Sequence, residues 1–316
     1  MKWKPVFPQP VRRSKLRILA LCAIFLALSV VALLTSRLYA SMLEISRDQL
    51  RSEKIAVEST LLALMQTQWT DTEMLTDNAV LRTYLDADYR LPHPEYSANR
   101  SRIAGLIGQA TRSANNALRV HIYHNNTTLG RPMKFLCGLE EVMGCPWFDD
   151  GALEDGCQFA YGALPGEETP SVICYRVGFT SSYPYNVLMV TVLSYSRAAL
   201  LNALDLSNEA YITVLRTPNG EVLSTVPGGE DVQADGTQDI VLCNGQRYLC
   251  EYTSLGRKNA NLQGWELCVL TPLRQVRQQV LASMTESILL VLALLLLTGL
   301  IVLLISRNLS RQAGRI

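Results

Sequence analysis

Two uncharged apolar runs bracket this chain, Ile18 to Ser36 with 19 residues and Ile288 to Ile305 with 18. At about 1.5 Å of rise per residue each makes a helix of roughly 27 Å, close to the ~30 Å hydrocarbon core of a bilayer. No other stretch of the 316 residues is comparably apolar, so two membrane spans are predicted. A cleaved signal peptide is the rival reading of the first run. Its apolar core exceeds the usual ~7–15 residues, and Leu38-Tyr39-Ala40 lacks the small residue expected before a cleavage point, so a retained anchor is expected.

Charge is segregated around these runs. The formal net charge is only +1, yet all 28 acidic residues lie between Glu44 and Glu286. Six basic residues and no acidic one precede the first run, and Arg307, Arg311 and Arg315 follow the second, which leaves −8 for the middle. Basic flanks on the outer ends of both runs place both termini in the cytoplasm. The expected organisation is a cytoplasmic tail (1–17), a first span (18–36), an extracytoplasmic segment (37–287), a second span (288–305) and a cytoplasmic end (306–316). The two ends contain no His, Asp, Glu or Cys, so neither supplies an acid, a base, a nucleophile or a phosphoacceptor. Gly228-Gly229-Glu230-Asp231 approximates a cyclase signature only in scrambled order and on the outer side.

Seven of the eight cysteines lie outside: Cys137, Cys145, Cys157, Cys174, Cys243, Cys250 and Cys268. Extracytoplasmic thiols tend to be oxidised, so a partial disulfide framework is plausible, and an odd number leaves at least one without an intramolecular partner. No CxxC and no Cys/His ligand spacing is present, so no metal is expected, and no cofactor either.

Within the outer segment, Ser41 to about Leu85 is rich in helix formers. Leu43, Leu50, Val57 and Leu64 recur every seven residues, a contact stripe for its own domain or for a second subunit. Leu91-Pro92-His93-Pro94 breaks this helix, and Ser101 to Asn116 reads as another. The period then becomes alternating: Leu118, Val120 and Ile122 form one face of a strand, and Arg119, His121 and Tyr123 the other. Further strands are predicted over Pro132 to Cys137, Gln158 to Ala163, Ser171 to Thr180 and Asn186 to Ser194, with a Trp147 loop among them. Ser196 to Leu204 reads as a short helix. A second strand set follows: Tyr211 to Arg216, Glu221 to Thr225, Gln238 to Cys243, Gln246 to Thr253 and Trp265 to Thr271, with Asn219-Gly220 and Asn244-Gly245 as hairpin turns. Pairing of the last two strands about residue 259 puts Cys250 opposite Cys268, a predicted disulfide, and the same logic on the neighbouring hairpin sets Cys243 beside Gln246, which disfavours a Cys243–Cys250 bond. The predicted class is α+β: a long N-terminal helix and two antiparallel-sheet lobes between two membrane helices, with lobes at 37–204 and 205–273 and a connecting helix at 274–287.

This order of elements resembles the sensory half of a YesM-type sensor histidine kinase with a double Cache, PAS-like extracytoplasmic region. The segments that carry it are Ala117 to Asn126 as the opening strand, the Trp147 loop, Tyr185 to Leu204 as strand and connecting helix, Ala210 to Thr225, and Gly264-Trp265-Glu266-Leu267-Cys268-Val269-Leu270-Thr271-Pro272-Leu273 entering the second span. The resemblance covers residues 16–310, and Ser306 to Arg311 looks like the first residues of a HAMP linker. It implies a homodimeric membrane receptor whose membrane-distal lobe binds a small solute or contacts a solute-binding protein, with no nucleic-acid partner. The family's catalytic core would follow residue 316, so kinase activity is not carried over and the chain as given is not expected to be an enzyme. The same architecture also serves transmembrane AraC-type regulators, chemoreceptors and cyclases. A membrane-tethered extracytoplasmic enzyme is disfavoured by the absence of GxSxG and HExxH. The strand pattern nominates Arg119, His121, Tyr123, Trp147 and Arg176 as ligand contacts, cationic anchors between aromatic walls suited to a carboxylate or a sugar. Amino-acid-binding Cache domains carry an Arg two places before an aromatic pair. Cys145 holds that place before Trp147-Phe148 here.

Overall fold

The computed structural model describes residues 9–299 apart from 91–94, 114–117, 130–132, 149–155, 181–185, 205–210, 228, 230–231, 233–238, 244, 283, 286–287, 290, 294–295 and 297–298. The chain divides into two units, one of Met1–Gln49 with Leu273–Ile316 and one of Leu50–Pro272. Helix α1 runs over Gln9–Thr76. The predicted span 18–36 lies within it, although the side chains of 18–24 and 26–28 fall outside the described residues, as does all of 300–316, the end of the second predicted span and the HAMP-like segment. Among the described residues no helix is long and apolar enough to cross a membrane.

In the Leu50–Pro272 unit, α1 is followed by α2 (Ala79–Asp86) and α3 (Tyr96–Ser113). The predicted single helix to Leu85 is broken at Asp77-Asn78. Asn78 takes an extended backbone and its side chain accepts from the Leu81 N–H at 3.1 Å, capping α2. Two five-stranded sheets follow. The first contains β1 (Leu118–His124), β2 (Leu136–Gly138), β3 (Gln158–Ala163), β4 (Pro170–Phe179) and β5 (Val187–Ser196) in the order β2-β1-β5-β4-β3. The short helix α4 (Leu139–Met143) lies between β2 and β3, and α5 (Arg197–Leu204) follows β5. The second sheet contains β6 (Ile212–Arg216), β7 (Val222–Ser224), β8 (Ile240–Cys243), β9 (Gln246–Ser254) and β10 (Glu266–Pro272) in the order β7-β6-β10-β9-β8. The two sheets share one strand order. They differ at one edge, where β2 runs parallel to β1 while β7 runs antiparallel to β6.

The α+β class and the two-sheet plan match the sequence reading. Pro132 to Cys137 contributes a shorter strand than expected, because the Leu136 N–H turns back onto the Met133 carbonyl at 2.9 Å and only Leu136–Gly138 pair with β1. The leucine stripe of α1 is settled for three of its positions. Leu50 and Val57 are buried and Leu64 is partly buried in this unit's own core, against Leu215, Leu249, Leu267 and Val269 of the second sheet among others. The first sheet packs Leu118, Val120 and Ile122 against Leu75, Leu81, Leu85, Ile103 and Ile107 of the helices, as the alternation predicted.

Candidate functional site

The face of the first sheet turned away from these helices is built by strict parity. On β1 it presents Arg119, His121 and Tyr123. Their partners on β5 are Ser194, Val192 and Val190, and the next row on β4 is Ile173, Tyr175 and Val177. The α4 segment and the Trp147 loop cover this face, burying Val142 and Trp147 with Tyr123, Ile173, Tyr175, Val190 and Val192.

The face carries an aromatic cluster. Trp147 meets Tyr175 edge-on with centroids 5.6 Å apart, Phe148 lies 5.5 Å from Tyr175, and His121 stacks on Tyr123 at 6.2 Å and 22°. The indole is pinned twice. Its Nε1–H donates to the Ala163 carbonyl at 2.8 Å, and its ring lies on the backbone of Gly162, where an added Cβ would meet Cδ1 at 2.5 Å. Glycine at 162 therefore answers a close approach, and any larger residue would displace Trp147. The Tyr175 hydroxyl donates to Gln158 at 2.8 Å.

The polar groups of the same face are incompletely paired. Arg119 bonds Glu167 Oε1 at 2.5 Å, a contact between β1 and the turn that joins β3 to β4. Four buried atoms on or over this face, Glu167 Oε2, His121 Nδ1, Ser171 Oγ and Ser194 Oγ, have no hydrogen-bond partner among the described residues. Ser171 and Ser194 are fully buried. An unsatisfied buried polar atom costs on the order of 1–3 kcal/mol, so four in one place are an unusual concentration. Burial holds the His121 imidazole below its ordinary pKa, opposed by Glu167 and Glu141 and reinforced by Arg119. Burial also pushes the Tyr123 phenol up, helped by Cys137 and Cys145. Both rings are thus neutral at pH 7, a donor and acceptor set without net charge.

Four of the five nominated side chains, Arg119, His121, Tyr123 and Trp147, come together here. Arg176 does not join them. It lies between Tyr175 and Val177, which face the loops, so its own side chain is on the helix side. There it bonds Asp77 at 2.7 Å and approaches Glu73 at 3.8 Å, both on or just after α1. The parity was illegible in β4 because the strand is buried on both faces and reads as a continuous apolar run. Sequence reasoning also missed Glu167, Ser171 and Ser194. The serines follow from parity once the register is known, whereas no local pattern marks Glu167.

The predicted pairing of Cys250 with Cys268 needs a correction of register. Cys268 stands opposite Tyr252, and Cys250 opposite Leu270, so the hairpin is centred one residue later and the cysteines are diagonal neighbours. They share one face with Cys243, and both are free thiols that hydrogen-bond to each other. The Cys268 S–H lowers the pKa of Cys250, while the same contact, aided by burial, raises that of Cys268. Cys243 stands opposite Gln246 as expected. An apolar cleft in the other unit, lined by Val31, Leu34, Thr35, Leu38, Met284, Ile288 and Val291, has almost no polar group with which to orient a ligand.

The fold, a long helix carrying two five-stranded sheets of one strand order, is similar to that of solved sensory domains of chemoreceptors and a histidine kinase. The ligand-binding domain of the Campylobacter jejuni chemoreceptor Tlp3 in complex with L-valine superposes with a TM-score of 0.50 at 11% identity, covering 76% of this chain and 97% of that one. The Tlp3 sensory domain with isoleucine bound gives 0.50 at 12%, with the same coverage. The extracellular domain of a protein described as a histidine kinase, soHK1S-Z6, gives 0.51 at 12%, covering 76% of this chain and 99% of that one. No protein-family model and no curated protein sequence matches the chain.

Proposed function

We propose that this chain is a membrane-anchored sensor whose first lobe binds a small polar solute on the loop-covered face of its first sheet. The observation that carries the reading is the meeting, on that face, of four unpartnered buried polar atoms with a wall of Tyr123, Trp147, Phe148 and Tyr175. Such a surface is complete only when a molecule with an apolar body and several hydrogen-bonding groups satisfies it. Arg119 and Glu167 supply opposite charges beside this wall, so a zwitterion or a polyol fits better than a hydrocarbon. The bound amino acids named for the Tlp3 structures are compatible with this chemistry.

Residues 18–36 and 288–305 cross the membrane, with both termini cytoplasmic and 37–287 outside, on the strength of their apolar length and the charge segregation. The receptor works as a homodimer. It transmits by a small displacement of the second span to an output module of kinase, chemoreceptor, AraC-type or cyclase class. That requires only two packing states with different ligand affinity. Cys250 and Cys268 form a disulfide in the oxidising compartment, supported by their shared face and mutual hydrogen bond.

Thermal denaturation of the full chain in detergent, screened against amino acids, organic acids and sugars, tests the binding reading. A rise in Tm with at least one solute is expected. Absence of any shift, together with tight binding of an extracytoplasmic solute-binding protein, would overturn direct binding.

A further inference from the structure

The seven described cysteines fall into three groups that the sheets keep apart. Cys137 and Cys145 lie on the loop-covered face of the first sheet, and Cys243, Cys250 and Cys268 cluster on one face of the second. Cys157 and Cys174 are alone on the helix side of the first sheet. Phe159 stands opposite Cys174 in the β3–β4 ladder, and Phe159 packs into the α1 core, so Cys174 faces α1 as well. Cys157 is two places before Phe159 and shares its side, directly before the start of β3, which is an edge strand. Its Sγ lies 3.6 Å from the Trp69 carbonyl of α1. Both thiols are buried, and each is within hydrogen-bonding reach of the other.

We propose that Cys157 and Cys174 are a site of covalent modification, a cross-strand disulfide that staples the start of edge strand β3 to β4 beneath α1. This rests on the extracytoplasmic placement of the lobe under Proposed function. It goes beyond that reading in assigning a bond on the opposite side of the sheet from the ligand face. Thiol–disulfide exchange closes it. The Cys157 thiolate attacks the disulfide of an oxidant, a small-molecule disulfide or an oxidase, forming a mixed disulfide and releasing one oxidant thiol. Cys174 then attacks Cys157 Sγ and releases the second thiol. The pair loses two protons and two electrons, and the oxidant's disulfide becomes two thiols. Because both sulfurs are buried once α1 is in place, exchange takes place as the lobe folds. The finished bond is shielded from reductant. The sheet itself excludes the competing partners, since Cys137 and Cys145 cannot reach through it without unfolding.

The full chain, produced in a host membrane, is alkylated before lysis and again under denaturing conditions, then cleaved after glutamate without reductant and mapped by mass spectrometry. Such cleavage puts Cys145, Cys157 and Cys174 on separate peptides, 142–154, 155–167 and 169–209. The predicted result is a reductant-sensitive peptide pair joining 155–167 to 169–209, lost in both Cys157→Ser and Cys174→Ser. A second sample, made with reductant in the growth medium and then unfolded and refolded in oxidised glutathione, separates pairing from location. A 157–174 bond there but not in cells upholds the pairing and contradicts the extracytoplasmic placement. Both cysteines alkylated in both samples, or either one joined to another cysteine, would overturn the proposal. Since the map is read on the unsubstituted chain, a variant that fails to fold does not obscure it.

Discussion

In the first sheet the face away from the core helices carries Arg119, His121, Ser171 and Ser194 beside an aromatic wall. In the second sheet, built in the same strand order, the corresponding face carries Ile212, Val214, Leu270 and three cysteines. On the second face Arg216, Glu266 and Tyr252 are paired with one another. Arg216 bonds Glu266 at 3.1 Å and the Val232 carbonyl at 3.2 Å, while the Tyr252 hydroxyl donates to the other Glu266 oxygen at 2.8 Å. Burial, aided by the Glu266 hydrogen bond, pushes the Tyr252 phenol up to about 12. One topology thus carries one face with paired polar groups and one with four buried polar atoms that lack partners among the described residues. The difference lies in whether the buried polar atoms have been given partners, which is where function separates from fold.

The largest effect expected from breaking this contrast is at Trp147. Trp147→Ala removes the ring that roofs the face and should cost about 3–5 kcal/mol in denaturant unfolding. Gly162→Ala should destabilise in the same direction, because an added Cβ would meet the indole Cδ1 at 2.5 Å and force the ring to shift. Next, Ser194→Ala should weaken solute binding about tenfold, or about 1.4 kcal/mol, with apo stability changed by less than about 1 kcal/mol. Its counterpart in the second lobe, Tyr252→Phe, should do the reverse: a stability loss of about 1 kcal/mol with affinity unchanged. A titration calorimeter and a denaturation curve read both.

Acid should act on the first lobe through two histidines held neutral. His121 and His124 have pKa values lowered by burial, opposed by Glu167 and Glu141 in the one case and Glu140 in the other, with Arg119 reinforcing the shift at His121. Neutral imidazole is favoured in the folded state. The stability it contributes is present above the unfolded value of about 6.5 and is lost as pH falls through the lower folded value. A Tm series downward from pH 7.5 should decline, and His121→Gln should flatten part of that decline. The smallest effect belongs to Arg176→Ala. An ion pair to the half-exposed Asp77 on the helix side should be worth only about 0–1 kcal/mol, with solute affinity intact. A binding loss there would put the site on the other face.

Much of the plan was legible because the alternating period of β1 and the Asn-Gly turns at 219–220 and 244–245 are local signals. Gly220 and Gly245 both take the positive φ that such turns require. The face assignment of Leu118, Val120 and Ile122 against Arg119, His121 and Tyr123 also followed from period alone. What was not legible depends on distant partners. Arg176 was misplaced because a strand buried on both sides has no visible parity, and Glu167 reaches Arg119 only through the curl of a turn 48 residues away. The Cys250–Cys268 register slipped because the loop between β9 and β10 folds into two short 3-10 turns, at Leu255–Arg257 and Ala260–Leu262, rather than a symmetric bend.

Hydrogen–deuterium exchange of the full chain with and without the best solute from the thermal screen tests the central claim directly. Ligand-induced protection is predicted over 118–124, 139–148 and 164–173, the strand, loop and turn that form the face of the first sheet. Protection confined to 212–272, with the first lobe unchanged, would contradict it.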